Sequence, residues 1–274
     1  MKFIIQFLLL TVSTPLFSYI LPSEICDEPT QYYCTNPYKI PAFQFYIAPE
    51  VYHVHRKRTG GAKQDGYNYG VRLGYDKIQR SKLYYGFDAL YAKGPLKGKG
   101  ISGDTVKSNF TDISVEGRFG YALGIRSSFN PLLTPFIGIG KFEERNHFTH
   151  PKATPIHFNT SYFYGTAGFL SRVQLTTRFY LGLNFKVKYP YEARCRVSND
   201  PQNNNSKQNI TEKIQYRAEL PLTYQLSTKS DHIFLSFVPF YEFRKYGYQP
   251  NFPCDFLETT LNIYGIQLKI MYCL

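Results

Sequence analysis

From Ala42 onward, apolar side chains recur at every second position in stretches of about a dozen residues, the pattern of strands with two unlike faces. In 213–226, Ile214, Tyr216, Ala218, Leu220, Leu222, Tyr224 and Leu226 share one face, while Gln215, Arg217, Glu219, Thr223 and Gln225 share the other, interrupted by Pro221. Residues 179–189 set Phe179, Leu181, Leu183, Phe185, Val187 and Tyr189 against Gly182, Asn184, Lys186 and Lys188. Residues 67–77 set Tyr67, Tyr69, Val71, Leu73 and Tyr75 against Asn68, Arg72, Gly74 and Asp76. The pattern predicts strands at 42–55, 67–79, 83–93, 111–125, 134–144, 161–173, 178–189, 213–226, 232–245 and 257–273.

The connections between these segments alternate. Long ones fall at 56–66, 94–110, 145–160, 190–212 and 246–256; short ones centre on Arg80-Ser81-Lys82, Ser127 to Pro131, Gln174 to Thr177 and Ser227 to Asp231. Alternation alone also suits a soluble sandwich or a lipocalin, whose oily face turns inward. Short turns at one end and long loops at the other, on an even number of strands, point instead to a membrane barrel. The expected fold is all-β: a single-chain transmembrane antiparallel β-barrel of ten strands over 42–274, with eight or twelve as alternatives.

Composition agrees with this picture. Tyr (25) and Phe (23) are abundant and Trp is absent, so tyrosine would have to furnish the aromatic belts that such barrels carry at the two lipid interfaces. Residues 1–18 read as a secretory signal peptide: Lys2 is the basic start, Phe3 to Leu10 the apolar core, and Leu16-Phe17-Ser18 the cleavage region. Residues 19–41 read as a periplasmic lead-in. The net charge of +12 favours anionic partners, and export makes nucleic acid a poor one.

Four phrases carry a resemblance: Tyr69-Gly70-Val71-Arg72-Leu73-Gly74-Tyr75, Tyr84-Tyr85-Gly86-Phe87, Gly117-Arg118-Phe119-Gly120-Tyr121 and Leu133-Thr134-Pro135-Phe136-Ile137-Gly138-Ile139-Gly140. The closing face Tyr264, Ile266, Leu268, Ile270, Tyr272, Leu274 adds to it, with Tyr272 third from the last residue and Leu274 where an aromatic is usual. The chain resembles the small bacterial outer-membrane β-barrels of the opacity-protein and small-porin type. The resemblance implies an outer-membrane address, extracellular loops and periplasmic termini. It also implies that the barrel-insertion machinery reads Tyr272 and Leu274 as an assembly signal. It does not imply one activity.

With lipid on the oily face, the other face lines the lumen. Glu50, Arg72, Asp76, Asp88, Glu116, Arg118, Lys186, Arg217, Glu219 and Glu242 are then expected to form a charge network, because an unpaired buried charge is expensive. A charged constriction in a narrow pore is the alternative use of the same residues. The long loops are expected to present Arg56, Lys57, Arg58, Lys63, Lys97, Lys99, Lys107, Arg194 and Arg196 to anions, either lipopolysaccharide phosphates or acidic host glycans. The functional expectation is a structural or surface-interacting, adhesin-like barrel, with a narrow diffusion channel as its rival.

No enzyme, cofactor or resident metal is expected. The omptin proteases, also ten-stranded barrels, use paired Asp residues and an Asp/His pair near the rim. At comparable height this chain offers His53, His55, Asp65, Glu143, Glu144 and His147, without Asp-x-Asp or Asp-x-His. His53 and His55 share a strand face, a metal-binding spacing that lacks evident further ligands. For the cysteines, Cys26 with Cys34 and Cys195 with Cys254 are the expected disulfides; Cys26 or Cys34 with Cys273 is an open alternative.

Overall fold

The period-two segments pair into one sheet that closes on itself. The computed structural model describes residues 43–124, 129–151, 156–200, 205–226, 233–247 and 258–273. The signal and lead-in segments, with Cys26 and Cys34, lie outside the described residues, as do Cys254 and Leu274. The strands are β1 (Phe43–Arg58), β2 (Lys63–Lys77), β3 (Lys82–Lys99), β4 (Thr105–Gly124), β5 (Leu132–His150), β6 (His157–Gln174), β7 (Phe179–Leu181), β8 (Asn184–Ser198), β9 (Ser206–Asn209), β10 (Gln215–Glu219), β11 (Leu222–Gln225), β12 (Ile233–Tyr246) and β13 (Thr259–Cys273).

Thirteen pieces make ten walls. Strands β1 to β6 pair in sequence, β12 pairs with β13, and β13 returns to β1 from Gln44 opposite Cys273 to Arg58 opposite Thr259. No edge is left at this closure. The seventh wall is β7 with β8, and the eighth is β9, β10 and β11. Phe179 faces Tyr224, Phe185 faces Ala218 and Arg194 faces Asn209, so the pieces keep one register and form a single interrupted hairpin. One interruption falls at Gly182-Leu183 and Leu220-Pro221, where Pro221 has no N–H to give the ladder.

Side-chain parity follows the prediction. Tyr69, Val71, Leu73, Ile137, Ile139, Ile266 and Ile270 point outward and exposed, Ile139 at 69%. Their inward neighbours are buried. A continuous apolar outer wall of this kind is stable only against lipid. Aromatic rings mark its two borders: Phe43, Phe45, Tyr75 and Tyr85 cluster at the short-turn end, and Tyr67 with His53, Tyr241 with Tyr264, and Phe163 with Tyr191 at the other.

The long connections predicted from sequence are mostly strand. The connection at 56–66 is a four-residue turn, 59–62, in which Gly60 and Gly61 have φ of 93° and 101° and the Arg58 N–H bonds the Ala62 carbonyl at 2.9 Å. Likewise 94–110 shrinks to 100–104, β5 runs on to His150 and β6 begins at His157, and β8 and β9 take up 190–198 and 206–209 of the segment 190–212. At about 3.3 Å per residue the 20 residues of β4 run roughly 65 Å, and even tilted they overreach the roughly 25 Å apolar band. One end of the barrel therefore stands clear of the lipid.

That projecting end inverts its polarity. Inward positions become apolar, with Val54, Leu96, Phe110, Cys195 and Val197 buried, while the outward positions between them carry Lys97, Lys99, Lys107, Arg194 and Arg196. Water has replaced lipid outside, so the oily side chains turn in.

Candidate functional site

All ten lumen residues expected from sequence point inward and make polar contacts. Glu50 accepts from Arg72 Nε at 3.1 Å and Gln267 Nε2 at 2.7 Å. Arg72 reaches on to Asp88 at 2.6 Å, which also takes the Tyr46 hydroxyl at 2.9 Å. Asp76 holds Tyr84 at 2.8 Å and Arg118 at 3.2 Å. Glu116 holds Lys186 at 2.8 Å and Tyr164 at 3.0 Å. Glu242 binds three cations, Lys188 at 3.0 Å with Arg217 and Arg244 at 2.9 Å, and Arg217 also reaches Glu219 at 2.7 Å.

Several partners in this network were not expected. Arg244 crosses the lumen to Asp112 at 2.9 Å, and Asp112 also receives the Tyr52 hydroxyl at 2.7 Å. The signal was present: Asp112, Lys188 and Arg244 each stand two or four residues from a predicted lumen charge and so share its face. The tyrosines were hidden because their type also suits the lipid border. Two of them lie over glycines on the next strand. Tyr46 pairs with Gly74 and Tyr164 with Gly140, and a Cβ at either glycine would meet the tyrosine ring at 2.2 Å or 2.4 Å.

An apolar cluster is interleaved with these charges. Tyr52, Leu90, Phe110, Phe142, Tyr162, Phe240 and Leu261, drawn from strands around the ring, form one buried cluster. Phe142 and Tyr162 lie 4.9 Å apart and Tyr52 and Phe240 6.1 Å. Cations of the network rest on these rings, Arg217 3.8 Å from the Phe240 centroid and Arg244 4.6 Å from that of Phe142, which favours their charge in a dry setting. Below, a cavity of about 110 Å³ remains among Tyr46, Arg72, Asp76, Arg118, Arg217 and Lys269.

The surface cations divide. Lys57, Lys63, Lys97, Lys99, Lys107, Arg194 and Arg196 are exposed on the outer wall, on strand ends and not in loops. Arg56 is a correction: strand parity turns it inward, where it is 6% exposed and bonds Gln64 Oε1 at 3.0 Å. Arg58 is half-buried with its guanidinium 5.1 Å from the Phe158 ring. The outward cations meet across the ladder: Lys57 faces Lys63, Lys63 faces Lys99, Lys97 faces Lys107, and Arg196 faces Lys207.

The rim histidines also face out. Asp65 bonds His55 and lies 3.9 Å from His53, Glu143 pairs with Arg145 at 2.7 Å, and His147 stacks on His157 with centroids 4.2 Å apart. Glu144 alone of this group points inward, where it accepts the Tyr246 hydroxyl. Cys195 lies not in a loop but in β8, a buried free thiol whose side chain is inside the barrel, because the strand continues through the segment read as loop. Its proposed partner Cys254, and the pair Cys26 and Cys34, lie outside the described residues. Tyr272 points outward at the short-turn end, opposite Phe45 and Ile233.

An oily outer wall, a closed ladder and a filled interior define a membrane-spanning β-barrel with a packed lumen. No protein-family model and no curated protein matches the chain. Among solved structures it is similar to the outer membrane protease OmpT from Escherichia coli, at 10% identity and a TM-score of 0.48 over 85% of this chain and 97% of that one. It is similar to the translocator domain of the autotransporter NalP from Neisseria meningitidis, at 8% and 0.48 over 86% and 90%. The outer membrane protein OprG from Pseudomonas aeruginosa follows at 11% and 0.36 over 85% and 96%. Likeness of this degree carries nothing about activity, and the fold rests on the ladder itself.

Proposed function

We propose that the chain is a bacterial outer-membrane barrel whose interior is structural and whose projecting rim binds anionic surface groups. The observation that carries this reading is the cross-strand pairing of like charges, Lys57 with Lys63, Lys63 with Lys99, and Arg196 with Lys207. Like charges directly opposite each other weaken a ladder. Phosphate or sulfate groups lying against these rows convert the repulsion into attraction, so the partners are lipopolysaccharide and acidic glycans. In this reading the projecting end is extracellular, the short turns and both termini are periplasmic, and the insertion machinery reads the Tyr272 end. No catalytic step is assigned to the barrel.

The apolar cluster of Tyr52, Phe110, Phe142, Tyr162 and Phe240, interleaved with charges already paired to one another, favours this reading over a diffusion channel, because an ion crossing it would shed its water beside groups that are already satisfied. The purified full chain in a planar bilayer is expected to stay silent while binding heparin in a salt-sensitive manner. Replacing Lys57, Lys63 and Lys99 together by Glu should weaken that binding tenfold or more, given about 1 kcal/mol for each cation near an anionic surface. Steady conductance, or heparin binding unchanged in the triple variant, would overturn the proposal.

A further inference from the structure

The mouth of the projecting end holds a chamber of about 480 Å³, within the size range of small-molecule sites. It lies between the β1–β2, β3–β4 and β5–β6 hairpins. Val106, Phe148, Ile156 and Phe158 supply apolar wall, and Arg56 with Gln64 supplies a polar floor. The floor is tied together and does not lead down into the lumen. Gln64 accepts from Arg56 Nη1 at 3.0 Å and from Asn146 Nδ2 at 3.2 Å, and donates to Ser108 Oγ at 2.9 Å.

Arg56 is the residue that gives the chamber a chemistry. It is more than nine-tenths buried, yet its Nε has no hydrogen-bond partner, and it makes no ion pair among the described residues. Glu144, buried in the same region, takes the Tyr246 hydroxyl and feels the Arg56 charge without coming within ion-pair distance of it. A buried guanidinium with an idle N–H carries a desolvation cost that an anion would offset. The charge of the chamber points the same way: Lys63 and Lys99 stand at its rim, and among the described residues its lining contains no carboxylate.

We infer that this chamber binds a small amphipathic anion, a monocarboxylate carrying an aryl or medium-length alkyl tail. The carboxylate lies against the Arg56 guanidinium at the floor, and the tail lies against Phe148, Phe158 and Val106. A bare inorganic anion would leave the apolar wall wet, and a neutral alcohol would leave the guanidinium unpaired. The lysine rows share Lys63 and Lys99 with the rim of this chamber, but Arg56 and Val106 belong to neither row, so their replacement tests this site apart from heparin binding.

The test is calorimetric titration of phenylbutyrate into the full chain in lipid nanodiscs, with empty discs subtracted. Saturable binding at one site per barrel is expected, weakened about tenfold or more by Arg56→Gln, since a charge-assisted hydrogen bond is lost. Val106→Trp, which fills the chamber from the wall, should abolish binding and protects the test if Arg56→Gln folds poorly. Lys97→Gln, on the outer wall, should leave binding unchanged. Equal binding of phenylbutanol would overturn the anion assignment, equal competition by inorganic phosphate would overturn the apolar one, and absence of saturable binding would overturn the site.

Discussion

Arg56 and Lys57 are adjacent cations with opposite fates, and strand parity alone separates them. Lys57 joins a lysine row on the outer wall, whereas Arg56 enters the mouth chamber. Parity also sets the stacked rim pair His147 and His157, whose imidazoles lie 4.2 Å apart with only 16° between their planes. His157 stands at the tip of β6, above the upper aromatic border. Burial, and then the neighbouring His147, holds its pKa below the ordinary 6.5. The folded rim therefore resists a proton that an opened rim accepts. Stability from this pair is intact at neutral pH and is lost as pH falls through and below 6.5. An NMR titration should place His157 below a free imidazole, and His157→Asn should remove the acid-induced loosening. A His157 midpoint at or above 6.5 would contradict the assignment.

At the scale of the element, each long strand changes character along its length. In β3, Phe87 and Tyr91 face lipid while Lys97 and Lys99, at the same parity, face water. The lower half was legible because oily and polar residues alternate with a strong contrast. The upper half was not: there the apolar residues move to the other parity, and the change of phase reads as the end of the strand. The broken seventh and eighth walls were legible as single strands, since their pieces keep one register. The closing strand carries its own prediction. Tyr272 faces outward between Phe45 and Ile233, so Tyr272→Asp places a charge near an interface, where the direct lipid cost is about 0–1 kcal/mol. The larger effect should fall on assembly: surface yield of the variant is expected to drop severalfold, while barrels that do form keep near-normal resistance to heat on gels. Normal yield would remove the assembly role from this residue.

At the scale of the whole molecule, the charge network ties opposite walls together. Glu242 on β12 binds Lys188 of β8 and Arg217 of β10, and Arg244, its neighbour two residues on, reaches Asp112 of β4. A barrel whose ladder is already closed does not need these charges for pairing, but once buried they depend on one another. Glu242→Gln keeps the shape and removes one negative charge from among three cations, which should cost about 3–5 kcal/mol. Urea titration of the refolded barrel in detergent, read by heat-modifiable migration, should show the loss. Stability within 1 kcal/mol of the parent, by the same scale of buried-pair energies, would mean that water reaches the network and relieves it.

The sequence by itself determined the class of fold, the number of walls, the identity of the lipid face and most of the charges inside, including Glu50, Arg72, Asp88 and Glu242. A period of two, repeated with the same contrast along the chain, leaves little else that a strand can do. Only the tertiary structure decided where the strands stop, that Arg56 and Cys195 lie inside, and that the tyrosines and Arg244 complete the network. Those outcomes depend on which solvent surrounds each height of the barrel and on which side chains meet across the lumen from distant parts of the chain. Neither quantity is local, so no window of sequence carries it.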